Sequence, residues 1–422
     1  MLTQPLLYSL QVLALCTYPE LLESDGFPED AKCKARSIMK QLDNGSVGSY
    51  SVAYITQHVP QRIASFIQRR DGAIPSDPRN IIVCSGATQG ILTIISLVTN
   101  TEEPLRTGIM ISVPRYSVYM DAIVLSGAVP VDYPLDEENE WALNVQSMRE
   151  SLYIARKHCN PKVLCVINPG NPTGQVQSRE CIEEVIRLAA EEKLLIFADE
   201  VYQENIFAPG STFHSFKKVL FEMGPQFSKK VQLVSIHSVS KGFHGECGFR
   251  AGFLEFVNID PSVFEVLYLL KSFSVPPVPG VIALDVTIDP PQPGDTSYDT
   301  FIAEKQKALS NLGEKARLAE MLLNQVPGIQ CNPIQGALHF FPRIHIPDKA
   351  VRLAKAKGQE PDVFFCHSLL EETGIILVPG SDFGQVQGTY HIRITIINPI
   401  EELENILNNI IGFYRKFVQE YS

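Results

Sequence analysis

Residues 162–202 read KVLCVINPGNPTGQVQSRECIEEVIRLAAEEKLLIFADEVY, and this stretch decides the fold. VLCVI (163–167) is a short apolar run of the kind shown by a strand buried on both faces. NPGNPTG (168–174) interrupts it with two prolines and two glycines. From Ser178 to Lys193 the pattern is that of a helix, with Ser178 placed to cap it, acidic residues early and Lys193 at its end. LLIFAD (194–199) is a second buried strand. Strand, loop, helix and strand in this order indicate an α/β layer structure.

The alternation extends from residue 81 to 257, through IIVCS (81–85), IMISV (109–113), AVPVDY (128–133), VQLVSIH (231–237) and AGFLEF (251–256). A largely parallel central sheet is therefore expected. A Pro-rich break follows at 275–293, then a helical stretch over about 298–325. LHFFPRI (338–344), IILVPG (375–380) and YHIRITI (390–396) are strand candidates, and 399–420 is an amphipathic helix. The expected organisation is a large α/β domain at 44–290 and a smaller α+β domain made of 1–43 and 291–422. Residues 1–22 are apolar enough for a signal-peptide core, but no Lys or Arg precedes Lys32 and Pro19 stops the run. They read as an amphipathic or buried helix. Asn44-Gly45-Ser46 has the form of a glycosylation sequon, but Asn-Gly is a common turn pair and a turn is the preferred reading.

Composition narrows the function. The chain has 422 residues, 45% hydrophobic and 20% charged, as ordinary globular proteins do. Its 36 basic and 47 acidic residues give a net charge of −11. An acidic chain argues against nucleic acid or an anionic membrane surface as partner, since both need a basic face. No stretch approaches the ~20 apolar residues of a membrane-spanning helix. The nine cysteines are irregularly spaced without C-x-x-C, which argues against a disulfide framework or a zinc ribbon and for a reducing compartment. No metal site is expected.

Four clusters each follow a predicted strand, where open α/β sheets place ligands. Ser85-Gly86-Ala87-Thr88-Gln89-Gly90 opens a helix whose free N–H groups suit phosphate, although a tight turn would look the same. Asn168 to Gly174 presents the Asn171 amide on a constrained loop, or is a rigid surface turn. Asp199-Glu200-Val201-Tyr202 leaves an apolar strand; a carboxylate there needs a cation or proton donor, or caps the next helix. Ser238-Val239-Ser240-Lys241-Gly242, with Arg250 beyond, offers an amine nucleophile beside phosphate-binding groups, though most lysines are solvated surface groups. Chance supplies any one cluster. Together they are what pyridoxal phosphate requires: a phosphate cradle, an amide and a phenol for the ring oxygen, an acid for the ring nitrogen and a lysine.

The chain resembles the class I/II aminotransferases of fold type I, and within them the alanine aminotransferases. The resemblance rests above all on KVLCVINPGNPTGQVQSR (162–179), ADEVYQENIF (198–207), HSVSKGFHGECGFRAG (237–252) and VPGSDFGQ (378–385), with LCTYPELL (15–22), GSYS (48–51) and LLEETGI (369–375). It implies Lys241 as the lysine that joins the cofactor and carries the proton, and Asp199 as partner of the pyridine nitrogen. Asn171 and Tyr202 would bond the ring oxygen. Ala87, Thr88, Gln89, Ser238 and Arg250 would hold the phosphate. Tyr116 would stack on the ring, and Arg393 would take the substrate carboxylate through a bidentate fork, unless it is a solvent-facing strand residue. Tyr50 would reach the phosphate of a neighbouring subunit, making an obligate homodimer with a shared site.

The implied reaction is L-alanine + 2-oxoglutarate = pyruvate + L-glutamate. The alternatives are another small-amino-acid enzyme of the same fold and a catalytically impaired homologue shortened at its N-terminus. Family members carry a pocket-lining segment before the helix that opens this chain, so pocket closure and subunit packing are expected to differ. A cytoplasmic location is expected, or a mitochondrial one should the true N-terminus be longer. Arg115 before the stacking Tyr and Phe243-His244 after the lysine depart from the family pattern, and His244 is expected to alter the titration of Lys241.

Overall fold

A computed structural model describes residues 7–272 and 275–422. Its central sheet contains β1 (Ile81–Cys84), β2 (Thr107–Val113), β3 (Val129–Asp136), β4 (Ala142–Leu143), β5 (Asn160–Ile167), β6 (Leu195–Asp199), β7 (Leu233–Ser238) and β8 (Gly252–Val257). The strand order is β1-β8-β7-β6-β5-β2-β3-β4. β7, β6, β5, β2 and β3 run parallel. β8 is antiparallel to both β1 and β7. Residues 239–251 between β7 and β8 hold one 3-10 turn and no crossover helix, so the chain turns straight back. Each of the seven short apolar runs forms a strand. β3 departs from burial on both faces: Val131, Tyr133 and Leu135 are buried while Pro130, Asp132 and Pro134 are exposed.

Local signals act as read. Ser178 Oγ accepts from the Cys181 N–H at 3.2 Å at the head of the helix Arg179–Glu192, and Lys193 ends it in the left-handed region. Ile182, Val185, Ile186 and Ala189 of that helix are buried in one apolar cluster with Leu164, Val166, Ile196 and Ala198 of the sheet. The Pro-rich break contains a buried helix, Val278–Ile288. Pro277 caps it and Pro279 occupies its first turn, where no N–H is needed.

The C-terminal third has short strands: β9 (Ile329–Gln330), β10 (His339–Phe340), β11 (Arg343–Ile344), β12 (Val378–Pro379) and β13 (Ile392–Thr395). They form an antiparallel sheet β10-β13-β12 and a pair β11-β9. LHFFPRI is thus split between two sheets, and Pro342, which cannot donate to a ladder, stands just before β11. The helices Tyr298–Asn324, Pro361–Thr373 and Ile400–Tyr421 share a core with these strands, including Leu312, Ala316, Phe365, Leu407 and Tyr414. The N-terminal helix Leu7–Thr17 is buried through Tyr8, Val12, Leu15 and Cys16. They lie in a cluster with Ala31 and Ala35, with Val281 and Leu284 of the helix Val278–Ile288, and with Ile81, Val83 and Phe253 of the sheet. The apolar contacts of this helix therefore run largely to the layer of the large sheet. An edge contact of Tyr8 with Phe301, at 6.4 Å between ring centroids, ties it to the C-terminal part. No described helix is long and apolar enough to cross a membrane.

Candidate active site

Register brings the four clusters to one edge of the sheet. Ile167 at the end of β5 pairs with Asp199 at the end of β6, and Asp199 pairs with Ile236 near the end of β7. Ser238 and Cys84 both pair with Gly252 at the start of antiparallel β8. The loops after β1, β5, β6 and β7 and the turn before β8 must therefore converge.

They enclose a cavity of about 170 Å³ lined by Ala87, Thr88, Tyr116, Asn171, Asp199, Tyr202, Ser238, Lys241 and Arg250, joined by Ile91, Ile167, Val201, Ser240 and Cys247. Nine of the predicted residues are thus brought together. Gln89 is not among the lining residues: its side-chain Oε1 accepts from the Ser85 N–H at 2.7 Å and closes its own turn. Tyr50 is 79% exposed and also lies outside the lining. Arg393, on β13, is half-buried beside the cavity, with Nη1 3.4 Å from Asn171 Oδ1 and its guanidinium 4.7 Å from the centroid of Phe383.

Glycine makes the phosphate-sized cradle. Gly86 caps the helix Ala87–Val98 at φ 80° without a side chain, leaving the first-turn N–H groups for a ligand. A Cβ on Gly86 would lie 2.5 Å from Arg250 Nη2. Arg250 Nη1 donates to Cys247 O at 2.8 Å and to Ser240 Oγ at 3.3 Å.

The charges around this space are unbalanced. Among the described residues, Lys241, Arg250 and Arg393 form no ion pair with a carboxylate, and Arg393 Nε is buried without a partner. A partly buried unpaired cation is costly until an anion arrives. Burial pushes Lys241 below the usual lysine range, opposed by Tyr116 and reinforced by Arg393. Burial likewise lowers Arg393. Asp199 is the one acid of the lining. Burial raises it to about 6, while the Tyr119 hydroxyl, 2.9 Å from Oδ2, the Val201 N–H and Lys241 favour its charged form. Two arginines, a lysine and an acid gathered around one cavity fit a phosphate-bearing pyridine aldehyde and a carboxylate substrate.

Three contacts escaped the sequence reading. Tyr119 lies in the first turn of the helix Ser117–Ser126, three residues after the extended N-cap residue Tyr116. Asn205 is buried and clamps Gly242, accepting from its N–H at 2.8 Å and donating to its O at 3.0 Å. His339 meets Tyr202, with Nε2 3.1 Å from the phenol oxygen. The departures noted above stand apart from the cavity. Arg115 pairs with Asp132 at 2.7 Å. His244 is buried against Phe243, and burial with the charge of Lys305 lowers it to about 3. It lies outside the cavity lining, and Lys305 and His237 are the charged or titratable groups that act on it.

Known proteins match nearly the whole of this chain. The model of the family "Aminotransferase class I and II" matches residues 14–410. Alanine aminotransferase 2 of Xenopus tropicalis is 55% identical over 99% of this chain and 80% of its own length. Human alanine aminotransferase 1 is 51% identical over 99% of this chain and 85% of its own. Among solved structures, an alanine aminotransferase from Pyrococcus furiosus superposes with a TM-score of 0.74 at 22% identity, over 93% of this chain and 89% of that one. The cavity at the strand ends, the turn motifs that build it and the full-length similarity lead to one assignment: the chain belongs to the class I and II aminotransferases.

Proposed function

We propose that this protein transfers the amino group of L-alanine to 2-oxoglutarate, giving pyruvate and L-glutamate, with pyridoxal phosphate as cofactor. The carrying observation is the cavity itself, where Lys241 and Arg250, with Arg393 beside them, form no ion pair among the described residues and Asp199 is the acid of the described lining. The choice of substrates follows the 55% and 51% identity to alanine aminotransferases.

Bound pyridoxal phosphate supplies an aldehyde that captures amines and a protonated ring that withdraws electrons. Ala87 and Thr88 at the helix N-terminus, with Ser238 and Arg250, would hold its phosphate. Gln89 would contribute its backbone alone, its side chain being engaged with Ser85. Asp199, ionised above about pH 6, would hold the proton on the ring nitrogen. Asn171 and Tyr202 would hold the ring oxygen, and Tyr116 would lie against the ring face. Lys241, its ammonium form disfavoured by burial, has more neutral amine near neutrality than a surface lysine. It would form the covalent link and then carry the proton from the substrate α-carbon. Arg393 would bind the substrate carboxylate, exchanging a weak contact with Asn171 for a charged one.

A homodimer belongs to this reading. Its support is Tyr50, which is 79% exposed on its own chain and thus free to serve a second subunit. Cys16, Cys165, Cys331 and Cys366 are buried like small apolar groups, which supports a reducing, cytoplasmic setting. The test is a donor and acceptor panel on the purified protein with pyridoxal phosphate. L-Alanine with 2-oxoglutarate should be the fastest pair. A relative named glutamate–glyoxylate aminotransferase 2, from Arabidopsis thaliana, is 40% identical. A faster rate with L-glutamate and glyoxylate would displace the alanine reading.

A further inference from the structure

We infer that His339 is a positioning residue for Tyr202, and that it sets how the Tyr202 phenol meets the cofactor ring oxygen. The inference rests on the reading of Tyr202 given above.

His339 Nε2 lies 3.1 Å from the Tyr202 hydroxyl oxygen, and the two rings meet edge to face at 5.4 Å between centroids. Both residues are buried, at 4% and 1% exposure, so water does not replace this contact. They come from distant parts of the chain: Tyr202 follows β6, and His339 begins β10. The backbone of His339 is pinned. A Cβ on Gly174 would lie 3.0 Å from the His339 carbonyl oxygen, and the Gly336 N–H donates to Gly174 O at 2.8 Å. β10 also pairs with β13, which carries Arg393. His339 therefore meets the substrate-side sheet and the loop that bears Asn171 through its backbone, and Tyr202 through its imidazole.

The charged and titratable groups that face the imidazole are Arg393, Lys241 and Tyr202, with the carbonyls of Pro172 and His339 itself. Burial and the two cations keep the ring neutral, so it acts as a fixed hydrogen-bond partner. Its tautomer decides the direction. With the proton on Nε2, His339 donates to the phenol oxygen and frees the Tyr202 proton for the ring oxygen. With the proton on Nδ1, Nε2 accepts the Tyr202 proton and withholds it from the ring oxygen.

The experiment measures the pH midpoint of the visible band of bound pyridoxal phosphate, and the cofactor dissociation constant, in His339→Phe, His339→Gln and His339→Asn. The same readings are taken in Tyr202→Phe and in the double variant. A hydrogen bond donated to the ring oxygen stabilises its negative charge and eases deprotonation of the linked nitrogen. Loss of one such bond moves the midpoint by about 0.5 to 1 pH unit. His339→Phe should therefore shift it, upward for the Nε2–H tautomer and downward for the Nδ1–H tautomer. His339→Gln, whose amide reaches the Nε2 position, should restore it, and the shorter His339→Asn should behave as His339→Phe does. The shift should vanish in the Tyr202→Phe background. Should His339→Phe fail to fold, the Gln and Asn pair carries the comparison. Midpoints within about 0.1 unit of wild type in the His339 variants, with Tyr202→Phe itself shifted, would overturn the inference. So would a His339→Phe shift that persists undiminished without the phenol. A Tyr202→Phe midpoint equal to wild type would instead refute the reading of Tyr202.

Discussion

The hydroxyl of Tyr119, buried outside the cavity lining, donates to Asp199 Oδ2 at 2.9 Å. The phenol is buried, and both burial and the carboxylate keep it protonated, well above the usual tyrosine range. It is therefore a permanent donor that favours the charged form of an acid which burial disfavours. Tyr119→Phe removes that donor and should move Asp199 further up. The acid limb of cofactor binding should shift to higher pH, with little change in affinity above pH 8. An unchanged limb would show that Tyr119 serves packing alone.

Asp199 itself exchanges stability for function. Its folded value of about 6 lies above the ordinary 3.8, so the folded state holds the proton more tightly than the unfolded chain. The resulting destabilisation of the apoprotein is absent below 3.8, grows through that window and is complete above about 6. Asp199→Asn should make the apoprotein more stable by about 2 to 3 kcal/mol at pH 8, narrowing as the pH falls. Amino transfer should fall by at least about 100-fold, since the ring nitrogen loses its counter-charge. Urea unfolding across pH and the turnover rate check both halves.

Gly86 faces a steric limit. Its φ of 80° and the 2.5 Å approach to Arg250 leave no room for a methyl group. Gly86→Ala should displace the guanidinium and weaken pyridoxal phosphate by at least about ten-fold. Binding of pyridoxal, which lacks the phosphate, should change little. Equal losses for both would place the defect in the fold.

Arg393→Lys keeps the charge and loses the fork. KM for L-alanine and for 2-oxoglutarate should each rise about ten- to a hundred-fold, with a smaller change in kcat. Unaltered KM values would make Arg393 a structural residue of β13.

What the sequence revealed and what it hid follow from the range of the signals. NPGNPTG, ADEVY and SVSKG are local: each ends an apolar run, so strand recognition alone carried Asn171, Asp199 and Lys241 to one sheet edge. Tyr119, Asn205 and His339 act through partners that only tertiary packing brings near; His339 is 137 residues from Tyr202. Gln89 shows the same limit at short range. It lies in the right motif, yet a turn bond four residues long claims its side chain. IILVPG is apolar throughout, yet its pairing with β13 involves Val378 and Pro379 alone.

The account stands on one amine, that of Lys241, capturing the cofactor aldehyde. Borohydride reduction of the protein loaded with pyridoxal phosphate, followed by peptide mass mapping, reads this directly. The predicted result is a single reduced cofactor adduct on Lys241, lost in Lys241→Ala. An adduct on another lysine, or none in protein that binds the cofactor, would contradict it.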